Sequence, residues 1–368
     1  MRIIELNHTI GGGGGERMTV DLCNYFSKKG HDVFAYITDK TSFPRNISYR
    51  QDLDSRVRFA SAEATSGLAW RAIWQTFLTI RREKPDVVHN HCNILLLLLP
   101  ALFCPKVRYI HTIHTLPMRQ YPGGIKKWVA NWLYKTKRVI PVTISDECHL
   151  SYRECFGRQE DVQVTNGREA LKTTNKLDEV KSELISLGIS LEANVPIFIH
   201  VARHHVVKNH ERLFMTFERL QKEKVKFQLI VLGDRYEEYT DRLKNNPMIH
   251  LLGSRSNVAD YMAFADYFVL TSDKEGLPLT LLEAMSMGVI PVCTPAGGIK
   301  DVIHDGINGF MKDTISDECF YESVKEALSG VDKISKDGIM QEFNDKYSMD
   351  VCARKYAQLY GIHSSDNE

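Results

Sequence analysis

The chain has 368 residues, which is long for one domain and favours two domains, each able to bury its own core. Its 47 Lys and Arg residues nearly balance its 46 Asp and Glu residues, so no strong basic field indicates nucleic-acid binding. The eight cysteines show no C-x-x-C pair and no zinc spacing, and no signal peptide precedes them. These features predict reduced thiols and a cytoplasmic location.

The chain opens with a strand-turn-helix pattern. An apolar segment, Arg2 to Asn7, is followed by the glycines Gly11 to Gly15 and by a predicted helix from about Glu16 to Lys29. This turn follows the carboxyl end of a strand, where open α/β sheets bind ligands. Glu16 stands where a dinucleotide fingerprint needs its third glycine, and no Gly-Lys-Ser/Thr follows. The turn therefore predicts a backbone that passes close to some ligand, or a flexible surface turn.

Two later strand-like segments end in histidine, at His91 and at His114. Polar residues at the end of a buried parallel strand project from the carboxyl edge of the sheet, so both histidines are candidates to line a cleft. His114 is the better candidate. We assign His89 and His111, which lie within the strands, to packing.

Two segments bear on membrane contact. The apolar run from Ile94 to Phe103 is too short to span a bilayer and contains Pro100, so it predicts a buried helix. The segment from Ile125 to Arg138 interleaves five Lys or Arg residues with Trp128 and Trp132 and has no acidic residue. A basic, aromatic amphipathic helix can lie on an anionic membrane, although a solvated face over a packed stripe would give the same pattern.

A turn signal at Asn166-Gly167 precedes a second run of strands alternating with helices. This repetition predicts an α/β protein with two doubly wound parallel sheets that face each other. We place the first domain at residues 1–168, the second at 169–345, and a last helical segment at 346–368. The pair Asp52 and Asp54 has the spacing of a metal-binding carboxylate motif, but no apolar strand precedes it and we reject it.

The stretch from Asp273 to Gly288 carries the most informative chemistry. Glu275 lies in a Gly/Pro turn after an apolar strand, and Glu283 lies within a helix that begins near Pro278. The free N–H groups and the positive dipole end of such a helix favour an anion such as a phosphate. The two carboxylates can accept hydroxyl hydrogen bonds on either side of it, which are the groups of a nucleotide sugar.

Two cations follow the strand that ends near Ala202. Arg203 and Lys208 lie five residues apart, and Lys208 comes just before a predicted helix. Such a pair can clamp a diphosphate and neutralise the charge that builds up on a leaving nucleotide.

Together these motifs resemble the family four retaining glycosyltransferases, which have the GT-B architecture of two Rossmann-like domains with a cleft between them. The resemblance covers nearly the whole chain. Its most specific part is the stretch from Glu275 to Glu283 with Gly276-Leu277-Pro278, followed by Pro291-Val-Cys-Thr-Pro-Ala-Gly-Gly-Ile. The chain departs from the family pattern at Ala202, at His204-His205 and in the length of its glycine run.

The resemblance implies a role for each matching position. His114, Glu275, Lys208 and Arg203 would form the reaction centre, with His114 at the reacting sugar. The donor would be bound by Gly13, Gly14, Arg203, Lys208, Gly253, Val258, Glu275, Gly276, Leu277, Pro278, Leu279 and Glu283. The acceptor would be bound by Glu16, His91 and Asn166. The first domain would bind the acceptor, the second the nucleotide sugar, and the last helix would cross back onto the first domain.

The implied function is metal-independent transfer of a hexose, with retention of configuration, from a UDP- or GDP-sugar to an acceptor hydroxyl. No other cofactor is implied. Glycan or lipid-linked acceptors would place the enzyme in polysaccharide, capsule or glycolipid synthesis, at the inner face of a membrane if the basic helix binds lipid. The alternatives are a hydrolase that pairs Glu275 with Glu283, a non-catalytic nucleotide-sugar sensor, and a sugar-nucleotide epimerase.

Overall fold

A computed structural model describes residues 1–64, 69–92, 94–191, 195–244, 246–330 and 334–362. Within it the chain divides into two compact units, one formed by residues 1–169 and 347–368 and the other by residues 170–346. Residues 363–368 of the predicted C-terminal segment lie outside the described residues.

The first unit is built on a parallel sheet of seven strands in the order β3-β2-β1-β4-β5-β6-β7. The strands are β1 (Arg2–Asn7), β2 (Asp32–Asp39), β3 (Arg58–Ala64), β4 (Val87–Asn90), β5 (Arg108–Ile113), β6 (Val139–Thr143) and β7 (Val162–Gln163). The helices are α1 (Gly14–Lys28), α2 (Ala69–Glu83), α3 (Leu98–Phe103), α4 (Pro117–Gln120), α5 (Gly124–Lys135) and α6 (Asp146–Phe156).

The second unit is built on a parallel sheet of five strands in the order β10-β9-β8-β11-β12. The strands are β8 (Ile197–Val201), β9 (Gln228–Leu232), β10 (Ile249–Gly253), β11 (Tyr267–Leu270) and β12 (Ile290–Cys293). The helices are α7 (Leu177–Ser186), α8 (His210–Lys222), α9 (Glu237–Leu243), α10 (Val258–Met262), α11 (Leu279–Ser286), α12 (Asp317–Ser329) and α13 (Lys336–Glu342). After this unit the chain forms α14 (Met349–Tyr360), which packs on α1 in the first unit.

Both sheets have the doubly wound order, in which the direction of winding reverses between the first strand and the fourth. The prediction of two doubly wound parallel sheets is therefore confirmed. In the first unit the apolar faces of α2, α3, α5 and α6 cover one side of the sheet, and α1 and α14 cover the other. The inner strands β1, β2, β4 and β5 of this sheet are almost completely buried because helices lie on both sides, whereas the edge strands β3 and β7 are partly exposed.

Some element bounds differ from those predicted. Helix α1 begins at Gly14 rather than at Glu16, so the last two glycines of the run form its first turn. The predicted helix from Ile94 to Phe103 is a short 3-10 turn followed by α3, because Pro100 lacks an N–H and is tolerated only in the first turn of a helix. Its last side chain, Phe103, is 65% exposed, so the end of this run is not buried as predicted.

Candidate functional site

The second unit gathers charged side chains where its sheet reverses direction. Strands β8 and β11 are neighbours there, and their Cα register pairs Phe198 with Tyr267. Arg203 and Lys208 follow β8, and Glu275 follows β11. The crevice outside the carboxyl ends of two such strands is where open α/β sheets bind ligands. Residues that are far apart in the sequence therefore leave the sheet at one candidate binding edge.

Lys208 and Glu275 form an ion pair at this edge. The Lys208 Nζ donates a hydrogen bond to the Glu275 Oε1 at 2.6 Å, and the Ser272 hydroxyl donates to the same oxygen at 2.5 Å. The two charged side chains are only 21% and 11% exposed, so solvent and salt screen their attraction weakly. The pair fixes a cation and a carboxylate side by side.

A network of hydrogen bonds holds in place the two segments that carry Lys208 and Glu275. Asn209 adopts a left-handed conformation (φ 47°) and caps α8, because its side-chain oxygen accepts a hydrogen bond from the Arg212 N–H at 3.1 Å. Its amide also donates to the Asp273 Oδ2 at 3.1 Å, while the Arg212 guanidinium donates to the Asp273 Oδ1 at 2.8 Å and to the Thr271 carbonyl at 2.9 Å. The segment that carries Lys208 is thus tied to the segment that carries Glu275.

The amino terminus of α11 lies four residues after Glu275 in the chain. Its cap residue is Pro278, and the N–H groups of Leu279 and Thr280 have no helical carbonyl before them to bond. These free donors and the positive end of the helix dipole attract an anion. The arrangement can hold a phosphate within reach of a cation and a carboxylate.

Gly297 presses against the turn between Glu275 and α11. Its backbone has φ +58°, and a Cβ atom added there would lie 2.0 Å from the Glu275 carbonyl oxygen. The next residue, Gly298, donates its N–H to the Gly276 carbonyl at 2.6 Å. Only glycine fits this position, because any side chain would push the turn away. The 297–299 segment therefore sets the shape of the Glu275 turn.

The first unit brings three other polar side chains together at its own reversal point. Glu5 lies on β1, His91 immediately follows β4, and His114 immediately follows β5. These three strands are adjacent in the sheet. His91 bonds to Glu5 through one ring nitrogen, at 2.8 Å, and to His114 through the other, at 3.0 Å. The His114 ring packs on Gly15, where an added Cβ would lie 3.2 Å from two of its carbon atoms.

The comparisons with known proteins agree with this geometry. Residues 12–164 match the family model described as Glycosyltransferase Family 4, and residues 187–337 match the one described as Glycosyl transferases group 1. The two matched ranges together cover more than four-fifths of the chain. The chain belongs to the group 1, family four glycosyltransferases. The resemblance stated from the sequence motifs is thereby confirmed.

Relatives of this glycosyltransferase include the N-acetyl-alpha-D-glucosaminyl L-malate synthase of Bacillus anthracis, 33% identical over 246 residues. That match spans 63% of this chain and 62% of the relative's own length. The UDP-Gal:alpha-D-GlcNAc-diphosphoundecaprenol alpha-1,3-galactosyltransferase of Escherichia coli is 24% identical over 262 residues, or 66% of each chain. The crystal structure of Anabaena HepE in complex with UDP is similar over 99% of this chain and 100% of that one, with a TM-score of 0.78 and 16% identity. This likeness confirms the predicted GT-B fold.

Within this glycosyltransferase, most of the residues predicted to bind the donor lie at the carboxyl edge of the second sheet. Leu277 and Leu279 are buried beside the Glu275 turn, and Glu283 is half-buried on α11. Gly253 ends β10 and Val258 begins α10, at the same edge. Arg203 is exposed and forms no ion pair within the described ranges. The roles given to these residues stay predictions.

The residues predicted in the first unit lie in more varied surroundings. Gly13 is the cap residue of α1 and Gly14 is its first residue, and the Glu16 carboxylate folds back over Gly13. Asn166 is 4% exposed, and its Oδ1 has no hydrogen-bond partner in the described part of the chain.

The prediction that His91 contacts the acceptor needs correction. Its side chain is fully buried, and Glu5 and His114 occupy both of its ring nitrogens, so it lies behind His114 rather than at the surface. His89 and His111 are fully buried, as predicted.

Sequence reasoning missed Asn209, Arg212, Asp273 and Glu5. The first of these had a recognisable signal, since asparagine directly before a helix is a preferred cap. Glu5 also had one, because a carboxylate inside a strand that is otherwise apolar on both faces requires buried partners.

Proposed function

We propose that this chain transfers a sugar from a nucleotide diphosphate sugar to an acceptor hydroxyl with retention of configuration. The observation that carries the proposal is the Lys208–Glu275 ion pair beside the amino terminus of α11. A cation, free backbone N–H groups and a carboxylate at one edge match the diphosphate and hydroxyl groups of such a donor.

The donor would be arranged from phosphate to sugar along this edge. Its diphosphate would bind the N–H groups of the first α11 turn together with Arg203 and Lys208. Glu283 would accept hydrogen bonds from the ribose, and Glu275 from hydroxyls of the transferred sugar. Two cations and a helix dipole would neutralise the diphosphate, which is the task that a metal ion performs in other transferases. The proposed reaction therefore needs no metal.

The reaction replaces one bond to the anomeric carbon with another on the same face. The bond from that carbon to the phosphate oxygen breaks, and the bond to the acceptor oxygen forms. The leaving phosphate takes the proton of the acceptor hydroxyl, so no protein nucleophile is required. Lys208 and Arg203 would stabilise the negative charge that grows on the phosphate as the bond breaks.

Similarity to HepE favours a uridine nucleotide, since HepE has been crystallised with UDP and with UDP-glucose. Thermal-shift measurements with UDP-sugars and GDP-sugars would test this directly. We expect a UDP-sugar to raise the melting temperature of the wild-type protein. The variants Glu275→Ala and Lys208→Ala should lose that stabilisation and the transferase activity. Full activity in both variants would show that the site is assigned wrongly.

A lipid-linked glycan acceptor is favoured by the surface of the first unit. From residue 69 to residue 138 the sequence has twelve Lys or Arg residues and only two Asp or Glu residues, whereas the whole chain is nearly neutral. Within this segment Trp70 and Trp74 of α2 are 72% and 52% exposed, and Ile125 and Trp128 of α5 are 68% and 63% exposed. Exposed tryptophans among cations are typical of proteins that bind an anionic membrane surface.

The two helices present these side chains on one side of the sheet. Their inner faces, which include Ile73 and Val129, belong to the same apolar core. No described helix has both the length and the hydropathy of a membrane-spanning segment. We therefore propose contact with the membrane surface through the outer faces of α2 and α5, which would bring the protein to a lipid-linked acceptor.

Cosedimentation with liposomes tests this contact. Binding should be strong to vesicles of phosphatidylglycerol and phosphatidylcholine and weak to phosphatidylcholine alone. Reversing the charge of Lys126 and Lys127 to Glu should weaken binding, whereas the same change at the exposed Lys222 and Lys224 of the second unit should not. Unchanged binding in the first variant would refute the membrane surface, and transfer to soluble acceptors alone would refute the lipid-linked acceptor.

A further inference from the structure

A chain of buried polar side chains ends at His114. It begins at Glu5 in the middle of β1. The Cα of Glu5 is paired in register with the Cα of His89 on β4. Glu5 and His89 are completely buried, and the side chain of His91 has no exposed surface either. Of Glu5, His91 and His114, only His114 is partly exposed to solvent. The chain therefore connects a buried carboxylate to a ring at the carboxyl edge of the sheet.

Hydrogen bonds link the members in sequence. The Glu5 Oε2 lies 2.8 Å from the Nε2 of His91, and the Nδ1 of His91 lies 3.0 Å from the Nε2 of His114. The rings of His91 and His114 are stacked, with centroids 5.3 Å apart and an interplanar angle of 21°. No hydrogen bond to the Nδ1 of His114 is made by any residue in the described part of the chain.

These contacts determine where the protons lie. An ionised carboxylate only accepts hydrogen bonds, so the Nε2 of His91 must carry a proton and donate it to Glu5. A neutral imidazole has one protonated nitrogen, so the Nδ1 of His91 is an acceptor. The Nε2 of His114 must then be the donor between the two rings. The Nδ1 of His114 is left with a bare lone pair.

The charge states that this assignment needs agree with the surroundings. Burial alone would raise the pKa of Glu5, but the neighbouring His89 and His91, through their hydrogen bonds to its carboxylate, outweigh burial and lower that pKa to about 2. Burial and the neighbouring His89 lower the pKa of His91 to about 4. Burial also lowers the pKa of His114 well below its usual value. At neutral pH Glu5 is ionised and both rings in the chain are neutral.

Helix α14 locks the buried end of the chain. The Tyr360 hydroxyl donates to the Glu5 Oε1 at 2.8 Å and lies 2.6 Å from the Nδ1 of His89. The other nitrogen of His89 lies 2.7 Å from the Thr112 hydroxyl, which in turn lies 2.8 Å from the Tyr356 hydroxyl. Both Glu5 oxygens are therefore engaged, and the carboxylate cannot turn away from His91.

The same cluster offers ligand atoms of the kinds that bind metal ions. Glu5, His89 and His91 each offer one ligand atom, and these atoms lie within 4.8 Å of one another. The Glu5–His91 distance of 2.8 Å is that of a hydrogen bond, and Tyr360 already supplies a proton to the second Glu5 oxygen. Protons thus account for every contact in the cluster, and we favour the hydrogen-bonded arrangement.

We propose that Glu5 and His91 are positioning residues that hold His114 as the tautomer with its proton on Nε2, so that the bare Nδ1 accepts a hydrogen bond from a hydroxyl of a bound sugar. This inference rests on the proposed transferase function, which supplies the sugar. A carboxylate that fixes the tautomer of a working histidine through a hydrogen bond is an established device in enzymes. Here a second histidine lies between the two.

Nitrogen-15 NMR of histidine-labelled protein tests the tautomer directly. The His114 signals are assigned by comparison with His114→Gln. In the wild-type protein Nδ1 of His114 should be unprotonated and Nε2 protonated at neutral pH. In Glu5→Gln the new amide can donate to His91, so a second population of His114 with a proton on Nδ1 should appear. A protonated Nδ1 in the wild type, or spectra unchanged in Glu5→Gln, would overturn the proposal.

Two matched variants at position 91 separate positioning from structural support. His91→Asn keeps an oxygen near the place of Nδ1 that can accept from His114, whereas His91→Leu, of similar size, keeps none. With UDP-glucose as donor we expect kcat/KM within about threefold of wild type for His91→Asn and about tenfold lower for His91→Leu. Both variants should bind UDP as the wild type does. Equal losses in the two would refute positioning through His91.

The two kinds of measurement fail separately. If His114 has the predicted tautomer but no sugar is transferred from any UDP- or GDP-sugar, the hydrogen-bonded series Glu5–His91–His114 stands and the transferase function is rejected. If sugar is transferred but His114 has the opposite tautomer, only the positioning role of Glu5 and His91 is rejected. Elemental analysis by mass spectrometry completes the test, because one tightly bound metal ion per protein that is lost in Glu5→Gln would replace the proton between Glu5 and His91 and refute the assignment.

Discussion

Replacing Gly297 with alanine tests whether the 297–299 segment shapes the turn that carries Glu275. The backbone of Gly297 is left-handed, with φ +58°, which costs an alanine about 1–2 kcal/mol. The new Cβ would also lie 2.0 Å from the Glu275 carbonyl oxygen and 2.7 Å from its carbon. Since non-bonded carbon and oxygen atoms need more than 3 Å, the turn must move by about 1 Å, and a displacement of that size at a reacting group can cost about a hundredfold in rate.

Gly306 provides a matched control. Its φ is +73°, and an added Cβ would meet no atom within 4 Å. Gly306→Ala should therefore cost the same 1–2 kcal/mol through the backbone alone and leave donor binding unchanged. Urea denaturation measures the stability of each variant, and isothermal titration with UDP measures donor binding. We expect at least tenfold weaker UDP binding in Gly297→Ala only. Equal UDP affinity in the two variants would refute the reasoning.

Three further predictions follow from the same contacts. Lys208→Met should lower kcat/KM at least about a hundredfold through loss of charge at the phosphate, whereas the exposed Lys226→Met should not change it, and equal rates would contradict the clamp. Asn209→Ala should lose about 1–2 kcal/mol of stability in urea and Asn209→Gly clearly less, because glycine keeps the left-handed conformation; the reverse order would be inconsistent with a cap. Burial lowers the pKa values of His91 and His111 to about 4 and 3, so the unfolded chain binds more protons than the folded protein below pH 6.5. The free energy of unfolding should therefore fall as the pH is lowered from 6.5 to 4. A constant free energy of unfolding over this range would contradict the prediction.

The fold could be predicted from the sequence because its signals are local. Buried apolar segments that end in Gly, Asn or His alternate with helical segments twice along the chain, and this repetition specifies two doubly wound sheets. The donor motif is also local, since Glu275, Pro278 and Glu283 lie within nine residues. Helix starts have weaker local signals. The first turn of α1 is made of glycines, which have low helix propensity, so the sequence placed that start two residues late.

The residues that hold the site residues in place could not be predicted from the sequence, because their contacts join residues that are far apart in the sequence. Glu5 meets His91 only because β1 and β4 are neighbours in the sheet, and it meets Tyr360 only because α14 packs beside α1. A pattern read along one strand shows a charged residue among apolar ones but not its partner. The sequence pattern predicts His91 at a cleft for the same reason, since burial depends on the neighbouring strands.

The proposed function depends most directly on the stereochemistry of the product. Proton NMR of the product formed by the wild-type protein from an α-linked UDP-sugar shows the anomeric configuration through the coupling constant of the anomeric proton. We predict a new α-linked glycoside that appears only when an acceptor is present and is lost in Glu275→Ala. A β-linked product would contradict retention, and free sugar released at the same rate with and without acceptor would contradict glycosyl transfer.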